Sequence, residues 1–339
     1  MFFHRDIGID LGTANTLVYV RGKGIVINEP SVVAINKKTG QVLAVGEEAR
    51  KMVGKTPAHI IATKPLIGGV VSDFEITEQM LRYFIDKVFG KRFFPWPQPR
   101  LVIGIPSGVT EVERKAVEDA AKNAGAGEVY LVEEPMAAAI GSRLPVQEAG
   151  GNMIVDIGGG TTEVAVISLG GVVSASSVRV GGDRLDEAIS DHIKEKYSLA
   201  IGEQTAERIK IQIGSALPPE EEEKMEIRGR DLFSGLPKII EISSSEICQA
   251  IQAELEEMLQ CVKSVLKETP PEVSADIIDK GMVLAGGGSQ LRRIDEYFKM
   301  HTGVSTQIAD EPLFCVAKGT GMVLEHLDAY KKSIMTKKG

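Results

Sequence analysis

From Asp6 to Val20, aliphatic residues alternate around Asp10-Leu11-Gly12-Thr13 and stop at Arg21-Gly22-Lys23-Gly24, a pattern that predicts two strands joined by a tight turn. A comparable pattern returns from Met153 to Ile167, centred on Asp156-Ile157-Gly158-Gly159. In both, an aliphatic strand delivers an aspartate, then a glycine two places on, a threonine and a second aliphatic strand. The two copies stand about one domain length apart, which reads as an internal duplication rather than a short solenoid repeat.

Helices follow each strand set. Leu101 to Pro106 predicts a buried strand, and Thr110 with Glu113 a capping box opening a helix that ends near Gly125. A second helix starts near Glu134-Pro135, since proline is tolerated in a first turn. Asp183 is expected to cap a third helix from about Arg184, and Glu203 to Ile213 a fourth. One long amphipathic helix is expected from a Ser243/Glu246 capping box, carrying Ile247, Ile251, Leu255, Met258, Leu259, Val262 and Leu266 on one face until Pro270-Pro271 stops it. A strand from Gly281 to Ala285, the turn Gly286-Gly287-Gly288-Ser289 and a helix from Gln290 complete the pattern. The alternation indicates an α/β class with mixed sheets, in which 33–73 and 183–243 are smaller inserted subdomains.

Composition narrows the function classes. The chain has 339 residues, 43% of them hydrophobic and 25% charged, which suits two globular domains and not disorder. A net charge of -8 argues against nucleic acid as a partner and against broad attraction to anionic lipid. Three scattered cysteines suit a reducing compartment, and the five histidines show no His-x-x-x-His pair for zinc. No apolar run reaches spanning length and the leader is too short for a secretory signal, so a cytoplasmic location is expected. The run Glu220 to Glu223 reads as a solvated loop.

Phosphate oxygens need dense donors, and glycine lets backbone amides approach them closely. The turns Gly12-Thr13-Ala14-Asn15 and Gly158-Gly159-Gly160-Thr161-Thr162 could supply these from opposite sides. No Gly-x-x-x-x-Gly-Lys-Ser/Thr string occurs, no dinucleotide fingerprint follows the first strand, and Leu17 stands where a phosphate lysine would be useful. Metal and backbone dipoles must then balance the phosphate charge. Asp10 and Asp156, each ending a strand at a glycine turn, suit Mg²⁺ held mostly through water.

These motifs resemble those of the actin, Hsp70 and sugar-kinase superfamily. Asp6 to Thr16 resembles the first phosphate motif and Ile154 to Thr162 the second; Leu131 to Ala139 is similar to the first connecting helix, Met282 to Leu291 to the adenosine motif, and Ala317-Lys318-Gly319-Thr320-Gly321 to the second connecting helix. The full set, in order over nearly the whole chain, closely resembles the MreB family of bacterial actins. The resemblance implies a duplicated ribonuclease H-like, actin-type ATPase fold of two domains, each with an inserted smaller subdomain. The first spans 1–145, with its insertion at about 33–73 and a C-terminal helix, 317–335, returning to it; the second spans 146–316, with its insertion at about 183–243.

It further implies ATP or ADP with Mg²⁺ between the two halves, and slow hydrolysis coupled to filament assembly. Glu134 would position or polarise the attacking water and Thr161 assist at the γ-phosphate, although a first-turn carboxylate such as Glu134 also complements a helix dipole. Glu207 and Lys210, one turn apart, match positions that meet ribose and base, or form an exposed ion pair. Gly182 and Asp183 fall within the nucleotide-contacting set, and Gly286, Gly287, Gly288 and Ser289 would let adenine and the α-phosphate lie against backbone. The implied partners are further copies of the chain, the inner face of the cytoplasmic membrane and cell-wall elongation proteins, in filaments that organise wall synthesis and maintain rod shape.

Arg92-Phe93-Phe94-Pro95-Trp96-Pro97 places Phe93, Phe94 and Trp96 among prolines, either as a small satellite core or as a membrane foot. A hydrophobic loop here is associated with membrane attachment in the resembled family. Three such side chains supply only several kcal/mol, at about 1.5–3 kcal/mol each, so one subunit would bind weakly and a filament firmly. Met1-Phe2-Phe3 is read as structural. A small-molecule kinase needs a catalytic aspartate near an acceptor pocket, and an Hsp70-like module a peptide-binding domain; the sequence shows neither, and both remain as alternatives.

Overall fold

A computed structural model describes residues 6–90, 98–330 and 333–335. Two large sheets share one plan. In the first, Ile7–Leu11, Asn15–Val20 and Gly24–Pro30 form an antiparallel meander, and Ile7–Leu11 also pairs in parallel with Arg100–Ile105, which pairs in parallel with Glu128–Glu133. In the second, Asn152–Ile157, Thr162–Ser168 and Gly171–Val178 repeat the meander, and Asn152–Ile157 pairs in parallel with Met282–Ala285, then Thr306–Ile308. Tight turns suffice for the antiparallel pairs. The last parallel pair of each sheet needs a helical crossover, supplied by Glu111–Asn123 and Ile294–Thr302. The duplicated pattern in the sequence is therefore a duplicated sheet.

Each sheet has its own aliphatic core, and a third core lies between them. Its centre is a pair of helices, Glu134–Gly141 and Cys315–Glu325, whose backbones touch. A Cβ at Gly319 would stand 1.8 Å from the Ala137 carbonyl oxygen, and one at Gly141 1.8 Å from that of Cys315. Only glycine permits that crossing.

Two three-stranded sheets lie apart from these: Val33–Asn36 with Val42–Val45 and Ile60–Thr63, and Leu199–Ala200 with Lys224–Asp231 and Pro237–Ser243. They fall in the segments expected as insertions.

One local expectation holds and several are corrected. The capping box at Thr110 and Glu113 is complete. At Ser243 only half of one forms: Ser243 accepts from the Glu246 amide, but the Glu246 carboxylate turns to His192, Lys196 and Tyr197. The long helix beyond it is broken at Ile251 into Ser244–Ala250 and Gln252–Glu268, with Gln252 Nε2 donating to the Cys248 carbonyl at 2.9 Å. Pro271 does more than stop that helix, because it opens another, Pro271–Lys280. The helix expected from Arg184 starts at Gly182 behind Gly181, so Asp183 is not its cap. Gln290 closes a short 3₁₀ turn, Gly287–Gln290, and the helix begins only at Ile294. The C-terminal helix ends at Glu325, not 335, and Ile334–Met335 instead adds a strand beside Glu128–Glu133. Phe93, Phe94 and Trp96 lie outside the described residues. Among those described, no helix is long and apolar enough to cross a membrane.

Candidate functional site

The two glycine turns meet face to face. Ser31 pins the first, its Oγ donating to the Gly12 carbonyl at 2.6 Å and its amide to that of Ala14 at 2.9 Å. The second closes on itself through the Gly158 amide and the Thr161 carbonyl, 2.9 Å apart. A Cβ at Gly159 would lie 2.6 Å from Ala14 Cβ, and one at Gly160 2.5 Å from Thr13 Oγ1, so glycine sets how closely the halves approach. The helix Gly182–Tyr197 abuts the second turn, with the amides of Gly182 and Asp183 donating to Gly158 and Gly159 at 2.9 and 2.8 Å.

Beneath them opens a cavity of about 440 Å³. Gly12, Thr13, Ala14 and Asn15 line one side, Gly158, Gly159, Gly160 and Thr161 the other, and Asp10, Glu134 and Asp156 also face it. Gly182, Asp183, Glu207 and Lys210 line it as well, with Gly286, Gly287 and Gly288. Ser289 does not; it is fully buried, and its hydroxyl donates to the Gly286 carbonyl at 2.7 Å, bracing that turn. Gly286 has φ +80, and a Cβ there would lie 2.3 Å from the Ile157 oxygen.

The carboxylates are under electrostatic stress. Burial pushes the Glu134 and Asp156 carboxyls well above the usual range, and neighbouring carboxylates push them further: Glu163, Asp10 and Asp156 act on Glu134, and Asp10 and Glu163 on Asp156. Desolvation raises Asp10 to about 7. Glu163, only 1% exposed, is also raised by burial, although it accepts from the Ser107 amide at 3.0 Å and from Ser177 Oγ. Asp156 Oδ1 is buried with no hydrogen-bond partner. Such a set calls for a cation. Asp10 and Asp156 both face the cavity as hard oxygen donors, the chemistry that fits a hydrated Mg²⁺.

Lys210 and Glu207 do not pair with each other. Lys210 Nζ donates to Asp186 Oδ2 at 2.9 Å and to the Gly182 carbonyl at 2.8 Å, while Glu207 pairs with Arg50. Sequence reasoning missed Asp186, whose carboxyl burial raises to about 6 against the pull of Lys210; its one signal is a position one turn beyond Asp183. It also missed the apolar lining from Ile211 and Leu313, which in sequence looks like ordinary helix and loop.

The sequence model of the MreB/Mbl protein family matches residues 4–332. The chain belongs to the MreB/Mbl family. Among curated MreB/Mbl relatives, the cell shape-determining protein Mbl of Bacillus cereus is 52% identical over 330 residues, covering 97% of this chain and 98% of that protein. The cell shape-determining protein MreB of Escherichia coli is also 52% identical, over 332 residues, covering 97% and 95%. Solved structures of MreB5 of Spiroplasma citri bound to ADP and to AMPPNP superpose with TM-scores of 0.92 and 0.90 at 38% and 39% identity. They cover 98% and 97% of this chain, and 99% and 98% of their own. The two-sheet plan is thus the actin-type fold of MreB proteins.

Proposed function

We propose that this chain is a cytoskeletal ATPase whose ATP-dependent, membrane-associated filaments organise cell-wall synthesis and maintain cell shape. The observation that carries this reading is the contact of the two glycine turns at Ala14 and Gly159 over half-buried Asp10 and buried Asp156. Adenine nucleotide occupies the cavity, with its phosphates between the turns, its ribose toward Glu207 and Lys210, and its base against Gly286, Gly287 and Gly288. Bound Mg²⁺, reached from Asp10 and Asp156, supplies neutralisation of phosphate charge.

For hydrolysis the chain must orient water and steady a phosphoryl group, since little covalent chemistry is needed. Glu134, 7% exposed at the start of its helix, orients and polarises the water. The Thr161 hydroxyl steadies the γ-phosphate. Division of the chain at 145/146, with 33–73 and 183–243 as subdomains, puts one phosphate turn in each half. The partners are further copies of the chain, the inner membrane face through Phe93, Phe94 and Trp96, and cell-wall elongation proteins.

Sedimentation with ATP and anionic liposomes, alongside an ADP-release assay, tests this. Nucleotide-dependent pelleting with liposomes supports it. ADP release that needs a small acceptor and comes without filaments would replace it with a kinase.

A further inference from the structure

The mouth of the cleft is spanned by polar contacts between separate sheets. Arg50 ends the helix Glu47–Arg50, and Lys64 follows the strand Ile60–Thr63; both belong to the small sheet region of the first half. Lys64 Nζ bonds Asp183 Oδ2 at 3.1 Å and Glu203 Oε1 at 2.6 Å. The Arg50 guanidinium pairs with Glu207, and Gln204 Nε2 donates to the Arg50 carbonyl at 3.0 Å. All four partners lie on the helices Gly182–Tyr197 and Glu203–Ile213 of the second half.

These contacts border a second cavity of about 690 Å³, which shares Thr13, Ala14, Asn15, Gly160, Asp183 and Glu207 with the first. The second cavity is therefore a vestibule to the first. In these ion pairs both cations sit on one half and all three carboxylates on the other, so the pairs draw the halves together, while Arg179 and Arg184 of the second half also line the cavity. The ion-paired side chains are 28% to 54% exposed, within reach of water and salt. A seam of this kind opens far more readily than an apolar one would. Two of its carboxylates, Asp183 and Glu207, also line the first cavity, so opening the seam releases groups that hold a ligand there.

We infer that Arg50 and Lys64 form an electrostatic clasp that retains nucleotide by closing the vestibule, making them positioning residues for Glu207 and Asp183. The clasp rests on the nucleotide reading of the first cavity. It predicts that ionic strength controls the off-rate of nucleotide more than its chemistry of hydrolysis.

The test is stopped-flow release of a fluorescent ADP from the full chain with Mg²⁺, chased with excess unlabelled ADP, at low and high salt. At low salt Arg50→Ala/Lys64→Ala should release about tenfold faster than the unmodified chain, because several part-exposed pairs are lost together. Added salt should speed the unmodified chain toward the variant and leave the variant nearly unchanged. Glu203→Gln, at an exposed helix start, is a milder break expected to give about threefold faster release. Normal uptake with unchanged release in both variants, or a double variant as salt-sensitive as the unmodified chain, overturns the clasp alone. Failure of the unmodified chain to take up the probe removes both the nucleotide reading and the clasp.

Discussion

Asp156 stands directly across its hairpin from Glu163, at the register position that Leu17 holds opposite Asp10 in the first copy. Opposed like charges on one sheet face repel, and here both are buried. The duplicated scaffold is thus symmetric in backbone and asymmetric in charge, with the second hairpin carrying the extra carboxylate beside Glu134.

Relief of that repulsion should stabilise the ligand-free protein. Asp156→Asn is expected to raise unfolding free energy in urea by on the order of 1–2 kcal/mol, since a crowded buried charge with an unpartnered oxygen is removed. The same variant should lose the thermal shift that ATP with Mg²⁺ gives the unmodified chain. A less stable ligand-free variant would contradict the electrostatic account.

Glu134→Gln keeps the shape of the side chain and removes its charge. ATP turnover should fall about 10²-fold or more, while nucleotide affinity changes little. Single-turnover ADP production with parallel binding titrations separates the two effects.

The helix crossing between the sheets is a steric prediction. Gly319→Ala places a methyl within the Ala137 backbone, and unlike a side chain that backbone cannot swing aside. A loss of about 3 kcal/mol or more is expected. Calorimetric melting would show it without any nucleotide present.

Asp186 supplies a pH signature. Its folded pKa, about 6, exceeds the ordinary 3.8 because burial outweighs Lys210. A carboxyl with a raised folded pKa contributes stability fully below its unfolded pKa, and that contribution is lost as pH rises through the folded value. The unmodified chain should therefore lose on the order of 2–3 kcal/mol relative to Asp186→Asn between roughly pH 4 and pH 7. Urea melts of both proteins across that range measure it; a flat difference would contradict the burial of this carboxyl.

What could be read from the sequence was local or repeated. Paired strand-aspartate-glycine patterns marked both hairpins, and Thr110 with Glu113 marked a cap, because each is written within a few residues. All residues of both turns except Thr162 line one cavity; Thr162 is buried, its hydroxyl donating to the Val180 carbonyl. Tertiary competition hid the rest. Asp183 looks like a helix cap and is instead drawn to Lys64, and Glu246 looks like half of a capping box but is claimed by His192, Lys196 and Tyr197. No window on the sequence places Glu163 beside Glu134 or Arg50 on Glu207, since those meetings follow from how the halves dock.

Titration calorimetry of the full chain with ATP, with and without Mg²⁺, beside an Asp10→Asn/Asp156→Asn variant, tests the nucleotide reading most directly. One ATP per chain should bind with Mg²⁺, and that metal dependence should vanish in the variant. No heat of binding with metal present, or equal metal-dependent binding in the variant, would contradict it.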